Sequence, residues 1–154
     1  MAEALDEIAD RLYAAPPEGF VAARDEAVAR ARAGGDVAAA RWIAALRRPT
    51  IAAWLVNLLA LRRPDLVTEL TELAAALRVA QRELRGAELR ELSAQRRAAV
   101  SALVGQAREL AAAADPRVDP ARLPVAEVEA TLNAALSDVE VAAVLTAGRL
   151  VRAV

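Results

Sequence analysis

A chain of 154 residues, 56% of them apolar, is long enough for one domain with its own core. With neither Cys nor His in the sequence, there can be no disulfide, thiolate nucleophile, Cys or His metal site, Ser-His-Asp or Cys-His catalysis, or zinc hydrolysis. A net charge of −1 and a pI near 5.6 argue against a globally basic polyanion binder.

The apolar residues are mainly Ala, Leu and Val, with one Phe, one Tyr and two Trp. Side chains of high helix propensity dominate, which makes an all-α chain the expectation. The N-terminus carries acids instead of a basic region followed by an apolar one, so it does not read as a secretory signal. The longest apolar stretch, residues 51–61, is interrupted by Asn57 and falls short of the roughly 18 residues a membrane span needs. A cytoplasmic location, with no membrane and no metal as partner, is the expectation.

Leu5, Ile8, Ala9, Leu12 and Tyr13 have the spacing of a helix with one buried stripe, stopped by Pro16 and Pro17. A second helix is expected from Glu18 to Ala33 on Phe20, Ala23, Ala27, Val28 and Ala31, with Gly34 and Gly35 as its left-handed cap. Asp36 is the natural N-cap of a third, whose inward face reads Val37, Ala40, Ile43 and Leu46. Residues 51–61 are apolar around the whole circumference, which predicts a helix enclosed on all sides at the centre of the N-terminal half. Pro49 and Pro64 each follow Leu-Arg-Arg, and each sits where a helix is expected to begin.

From Leu66 a heptad-like series of Leu66, Leu70, Leu73, Leu77, Ala80 and Leu84 appears. It resumes after Gly86 with Leu89, Leu92, Arg96, Ala99, Leu103, Ala107, Leu110 and Ala114. The pattern predicts a long antiparallel helical hairpin over 65–114 if Gly86 marks a turn, or one uninterrupted helix if it does not. Arg96 among alanines would set the hairpin register or reach out to the edge. Three prolines within residues 115–124 predict a loop. Val125, Val128, Leu132, Ala135 and Leu136 mark a further helix, and Ser137 to Glu140 reads as a capping box opening the last, which Gly148 closes. The apolar end, residues 149–154, is expected either to pack as a short arm or to lead into a longer product.

Residues 1–23 carry a net −4 and residues 24–63 a net +5. Arg24, Arg30, Arg32, Arg41, Arg47, Arg48, Arg62 and Arg63 are therefore candidate contacts for phosphates or for a partner protein. The plainer reading is arginine on solvated helix faces, with no Gly-rich loop or aromatic platform to support nucleic acid. A helix-turn-helix fails because residues 50–61 offer base edges only Thr50 and Asn57. Asn57, inside an apolar helix, must be hydrogen-bonded, either to backbone or to a ligand. Trp54 and Trp42 read as core anchors in preference to a cofactor cage, and a pocket around Asn57 and Trp54 is the ligand-sensing alternative. Carboxylate pairs such as Glu69/Glu72 and Glu127/Glu129 lack the His that di-iron bundles require.

Phe20-Val-Ala-Ala-Arg-Asp25, the run from Ala45 through Arg47-Arg48-Pro49 to Asn57, Leu89-Arg-Glu-Leu-Ser93 and Gly148-Arg-Leu-Val-Arg152 together resemble a group of Ala/Arg-rich proteins from high-GC actinobacteria. The resemblance spans most of the chain. It fits the exclusive use of Arg among the 20 basic residues, and implies that such chains continue into a low-complexity helical tail. It carries no function and no site residue to this sequence.

The expected architecture is a single all-α domain, a helical bundle of seven or eight helices: an N-terminal cluster (1–63), a long hairpin (64–115) and a C-terminal helical pair (124–148). The expected function is a non-catalytic protein-protein interaction or scaffold module, self-associating or docking another protein through the hairpin stripe, with no cofactor. An Arg-rich, sequence-independent nucleic-acid binder and a ligand-sensing bundle are the alternatives.

Overall fold

The computed structural model describes residues 2–154, with side chains from Leu5 onward. Among the described residues it contains eight α-helices and no strand. None of these helices is long and apolar enough to cross a membrane.

The first three helices, α1 (Ala2–Ala14), α2 (Pro17–Ala33) and α3 (Val37–Ala44), form a small cluster. Its core is Leu12, Tyr13, Phe20, Ala27, Val28, Ala40 and Ile43, with the Tyr13 and Phe20 rings 5.2 Å apart. Gly35 takes φ +78°, which lets Asp36 N–H reach back to the Ala31 carbonyl at 2.9 Å and close α2. Asp36 caps α3 by accepting from Ala39 N–H at 3.0 Å. Two expectations for α3 need correcting. Val37 is 64% exposed, so the inward face is Ala39, Ala40 and Ile43. The helix also ends at Ala44, short of Leu46 on the expected face. Two carbonyls of the connector 45–50 are taken up by side chains: Arg24 donates to Leu46 O at 3.1 Å and the Tyr13 hydroxyl to Arg47 O at 2.9 Å.

Helix α4 (Ile51–Arg62) buries nine consecutive residues, from Ala52 to Ala60. It begins with Thr50 as N-cap, accepting from Ala53 N–H at 3.2 Å, so Pro49 lies outside the helix and is not its first residue. Pro64, by contrast, does open α5. The enclosed helix is the axis of the whole molecule and not of the N-terminal half alone: α1, α5, α6, α7 and α8 all pack against it.

The hairpin is present as α5 (Pro64–Arg82) and α6 (Gly86–Ala114). Gly86 is already helical, and the turn is made by Leu84 at φ +53°, while Arg85 N–H reaches the Ala80 carbonyl at 3.0 Å. Leu84 is 86% exposed and so leaves the seam that its spacing suggested. Of the stripe, Leu70, Leu77, Leu103 and Ala107 are buried in the main core and Leu66, Leu73, Leu89, Leu92 and Leu110 pack partly buried against it, while Ala114 is exposed; α4 and α7 complete that core. Arg96 reaches α7, donating to Asn133 Oδ1 at 3.1 Å, and does not set the register against α5.

A loop with a short 3-10 turn, Pro120–Arg122, leads to α7 (Val125–Ser137) and α8 (Val139–Ala147). Ser137 is the last residue of α7. Asp138 is the cap of α8, accepting from Glu140 N–H at 2.8 Å, so a single aspartate cap replaces the predicted box. Gly148 closes α8 in the left-handed region at φ +73°. Residues 149–154 then lie along the core as an arm. Leu150 N–H donates to Asn57 Oδ1 at 2.8 Å, Asn57 Nδ2 donates to Leu150 O at 2.9 Å, Thr50 N–H donates to Val151 O at 2.8 Å, and Val154 N–H donates to Thr131 Oγ1 at 3.0 Å.

Candidate functional site

Between α1, α2 and α3 lies an open apolar groove of about 680 Å³. Small residues make its floor: Ala27 and Ala31 from α2, Ala38 and Ala39 from α3. Leu5 and Ile8 of α1 form one wall and Trp42 of α3 another. A floor of alanines lies low because there is little side chain to fill the space between helices, and that is what leaves a channel rather than a packed seam. Trp42 remains 36% exposed, which corrects its assignment as a core anchor.

Three charged side chains line the groove, Arg11, Arg30 and Asp36. The Asp36 carboxylate is spent on capping α3. Arg30 leans on Glu26 of its own helix in an exposed pair, which water and other carboxylates can readily replace. The groove therefore presents apolar surface lined by two arginines and one capping carboxylate. Behind Trp42, Arg149 holds its guanidinium carbon 5.9 Å from the ring centre. The same guanidinium makes ion pairs with Asp6 at 2.8 Å and Asp10 at 3.6 Å. Arg149 thus ties the start of the arm to α1 and α3, and sets the end of α8 beside the groove.

The other residues singled out in the sequence do not converge on one site. Asn57 is fully buried, and its amide oxygen and nitrogen are both committed to the Leu150 backbone, so it offers a ligand nothing. Trp54 is the core anchor it was read to be, 1% exposed, with its indole N–H donating to the Ala14 carbonyl at 3.1 Å. The two do not share a pocket: Trp54 borders a cavity of about 410 Å³ whose lining does not include Asn57.

The eight arginines are dispersed. Arg30 is on the groove. Arg48 lines a second cavity of about 410 Å³ with Pro16, Ile51 and the 115–123 loop. Arg62 sits beside Asp10 at the α1–α4 cleft, and Arg63 lies between α5 and α6. Arg24 is taken up by Leu46 O and Asp25; Arg32, Arg41 and Arg47 are exposed.

Charge near these clefts is largely neutralised locally. The Arg63 guanidinium holds the Asp65 carboxyl below the usual carboxylate range. At the second cavity Arg117 does the same to Asp115, donating from its side chain at 3.1 Å and from its backbone N–H at 3.0 Å. Tyr13 is pushed above the ordinary phenol value by burial, which outweighs its bond to Arg47 O and the nearby arginines. Among the described residues no group of acids is arranged to hold a metal ion.

Sequence reasoning missed the groove. Its signal was the run of alanines at 27, 31, 38 and 39 beside Trp42, which periodicity alone reads as a packed face. No family model, curated protein or solved structure matches the chain.

Proposed function

We propose that this chain is a non-catalytic helical interaction module, and that the α1–α3 groove is where it docks an apolar helix flanked by carboxylates. The observation that carries this reading is the groove: an apolar channel between helices with an exposed tryptophan and Arg11 and Arg30 at its rim. Grooves of this shape take amphipathic helices through anchors at helical spacing, and tryptophan and arginine are the side chains in which binding energy concentrates. The groove is preferred to the hairpin stripe because the core uses most of that stripe. The dispersal of the arginines gives no continuous track for a phosphate backbone, and the absence of Cys and His from the sequence leaves no familiar nucleophile-base pair for catalysis.

The test is titration with a designed helical peptide of alanine and valine on one face, flanked by glutamates, against the same peptide flanked by lysines. Trp42 is the exposed tryptophan, so its emission reports occupancy. The glutamate peptide is expected to bind more tightly and to shift the emission to the blue. Ala38→Glu, an exposed change inside the groove at the start of α3, is expected to abolish both effects while leaving the helical content unchanged. Absence of binding, or binding indifferent to Ala38→Glu, overturns the proposal.

A further inference from the structure

The charges of the hairpin are sorted by side. On α5 and α6 the seam is marked by Leu70, Leu73, Leu77, Leu89 and Leu92, buried in the main core or packed against it. Glu69, Glu72, Glu88 and Glu91 each stand one residue before a seam leucine, and Arg78 and Arg90 each stand one residue after one. Arg82 follows Arg78 by about one turn and Arg97 follows Arg90 by about two, so they share those stripes. One residue turns a helix by about 100°, and in an antiparallel pair equal rotations past the seam lead to the same side. These arginines therefore share one side of the hairpin and these glutamates the other.

Helix stability does not account for the sorting. Within neither helix does an acid stand three or four residues from an arginine, the spacing at which opposite charges support a helix, and Arg78 with Arg82 sets like charges at that spacing. Among the described residues the ion pairs of the hairpin are Arg63 with Asp65 at its base and Arg85 with Glu83 and Glu88 at its turn, so Arg78, Arg82, Arg90 and Arg97 have none. Nearer the base the same side holds Val67, Ala74, Val104 and Ala111, all buried. Arginine takes over where the hairpin runs out past the core: every residue from Gln81 to Glu88 is exposed, as are Arg90 and Arg97, and Arg78 is half-buried.

We propose that this basic side of the hairpin binds double-stranded DNA through its phosphates, without reading sequence. The arginines of residues 24–63 are scattered over the surface, but these gather within about 10 Å along each helix, on axes about 8–10 Å apart. Two short rows at that separation suit the phosphates along the two edges of the B-form minor groove, about 6 Å wide. The minor groove of an RNA duplex is wide and sets its edges further apart. A single strand needs aromatic side chains on which bases stack, and the four aromatic residues of the chain all lie between Tyr13 and Trp54, outside the hairpin. An anionic lipid surface needs large apolar side chains beside the arginines. Among the described residues of the hairpin, Leu84 is the large apolar residue left exposed, and it sits at the turn next to Glu83. Four arginines make a patch and not an extended track, so binding is salt-sensitive: with four phosphates neutralised, log affinity falls against log salt with a slope of about −3.6.

A labelled DNA duplex of about 20 base pairs, titrated with the full chain at about 50 to 200 mM salt and followed by fluorescence anisotropy, tests the assignment. The wild type is expected to bind and to lose on the order of a hundredfold in affinity across that range. Arg82→Gln with Arg90→Gln removes two contacts, which should bring the slope to about −1.8 and weaken binding at the lower salt at least about tenfold. Arg32→Gln with Arg41→Gln makes the same change in net charge at exposed positions outside the hairpin and is expected to leave slope and affinity as they were. All four sites are exposed, so far-UV circular dichroism should show both double variants folded. No binding at the lower salt, or equal losses in the two double variants, overturns the proposal. Tighter binding to the single strand, to an RNA duplex of the same length or to phosphatidylserine vesicles than to the DNA duplex overturns it as well.

Discussion

A single amide at Asn57 supplies both an acceptor and a donor to the backbone of Leu150, 93 residues away, in the way one strand pairs with another. Inside an otherwise apolar helix this is the least costly way to carry a polar group, since all its bonds are made within the protein. Asn57→Leu keeps the volume and removes both bonds, leaving a buried N–H and C=O on Leu150 without partners. We expect a loss of about 3 kcal/mol in denaturant unfolding, from two groups at about 1 to 3 kcal/mol each. Amide exchange at Leu150 and Val154 should rise more than at the centre of α6. Protection of the arm equal to wild type would mean that Thr50 and Thr131 hold it without Asn57.

At the scale of elements, termini decide more than propensities do. Helix α8 ends because Gly148 can take φ +73°, and a Cβ placed there would lie 2.8 Å from Leu61 Cδ2. Gly35 has the same hand, φ +78°, with nothing within 4 Å of the missing Cβ. The two positions separate backbone cost from steric cost. Gly35→Ala should lose about 1 kcal/mol, the left-handed penalty alone. Gly148→Ala should lose about 2 kcal/mol or more, because Leu61 must also leave its rotamer. Equal losses in thermal unfolding would show that Leu61 yields freely. The hairpin turn is the opposite case: Leu84 accepts a positive φ at an exposed tip, where its side chain meets no neighbouring core.

Over the whole molecule two cores meet, the α1–α3 cluster and the larger core around α4, with Leu61 packed against both. Polar links cross the boundary at Trp54 to Ala14 O and at Arg149 to Asp6. Tyr13, from α1, holds the connector between the two through Arg47 O. Its folded pKa lies above the unfolded value because burial disfavours the phenolate. Stability from this group is therefore fully present below the unfolded phenol value, near 10, and is lost as pH rises through the folded one. Tyr13→Phe should cost about 1 kcal/mol at neutral pH through the lost bond. Across that alkaline window the wild-type stability should fall towards that of the variant. Parallel curves in chemical unfolding from pH 8 to 11 would remove Tyr13 as the source of the slope.

Much of this architecture follows from local rules that the sequence states directly. The apolar run 51–61 had to be enclosed, the heptad spacing had to make long helix on both sides of Gly86, Asp36 and Gly148 had to cap and close helices, and Asn57 had to be hydrogen-bonded. Each depends on the residue and its near neighbours along the chain. Which backbone Asn57 would meet, that α4 would serve as the axis of the whole bundle, and that Trp42 would stand at the surface were decided only by tertiary packing. Periodicity identifies the apolar face of a helix but not the neighbour that covers it, nor whether one does. The groove has the same origin: alanines read as a closed seam in sequence, and only the distance between packed helices shows that they leave a channel.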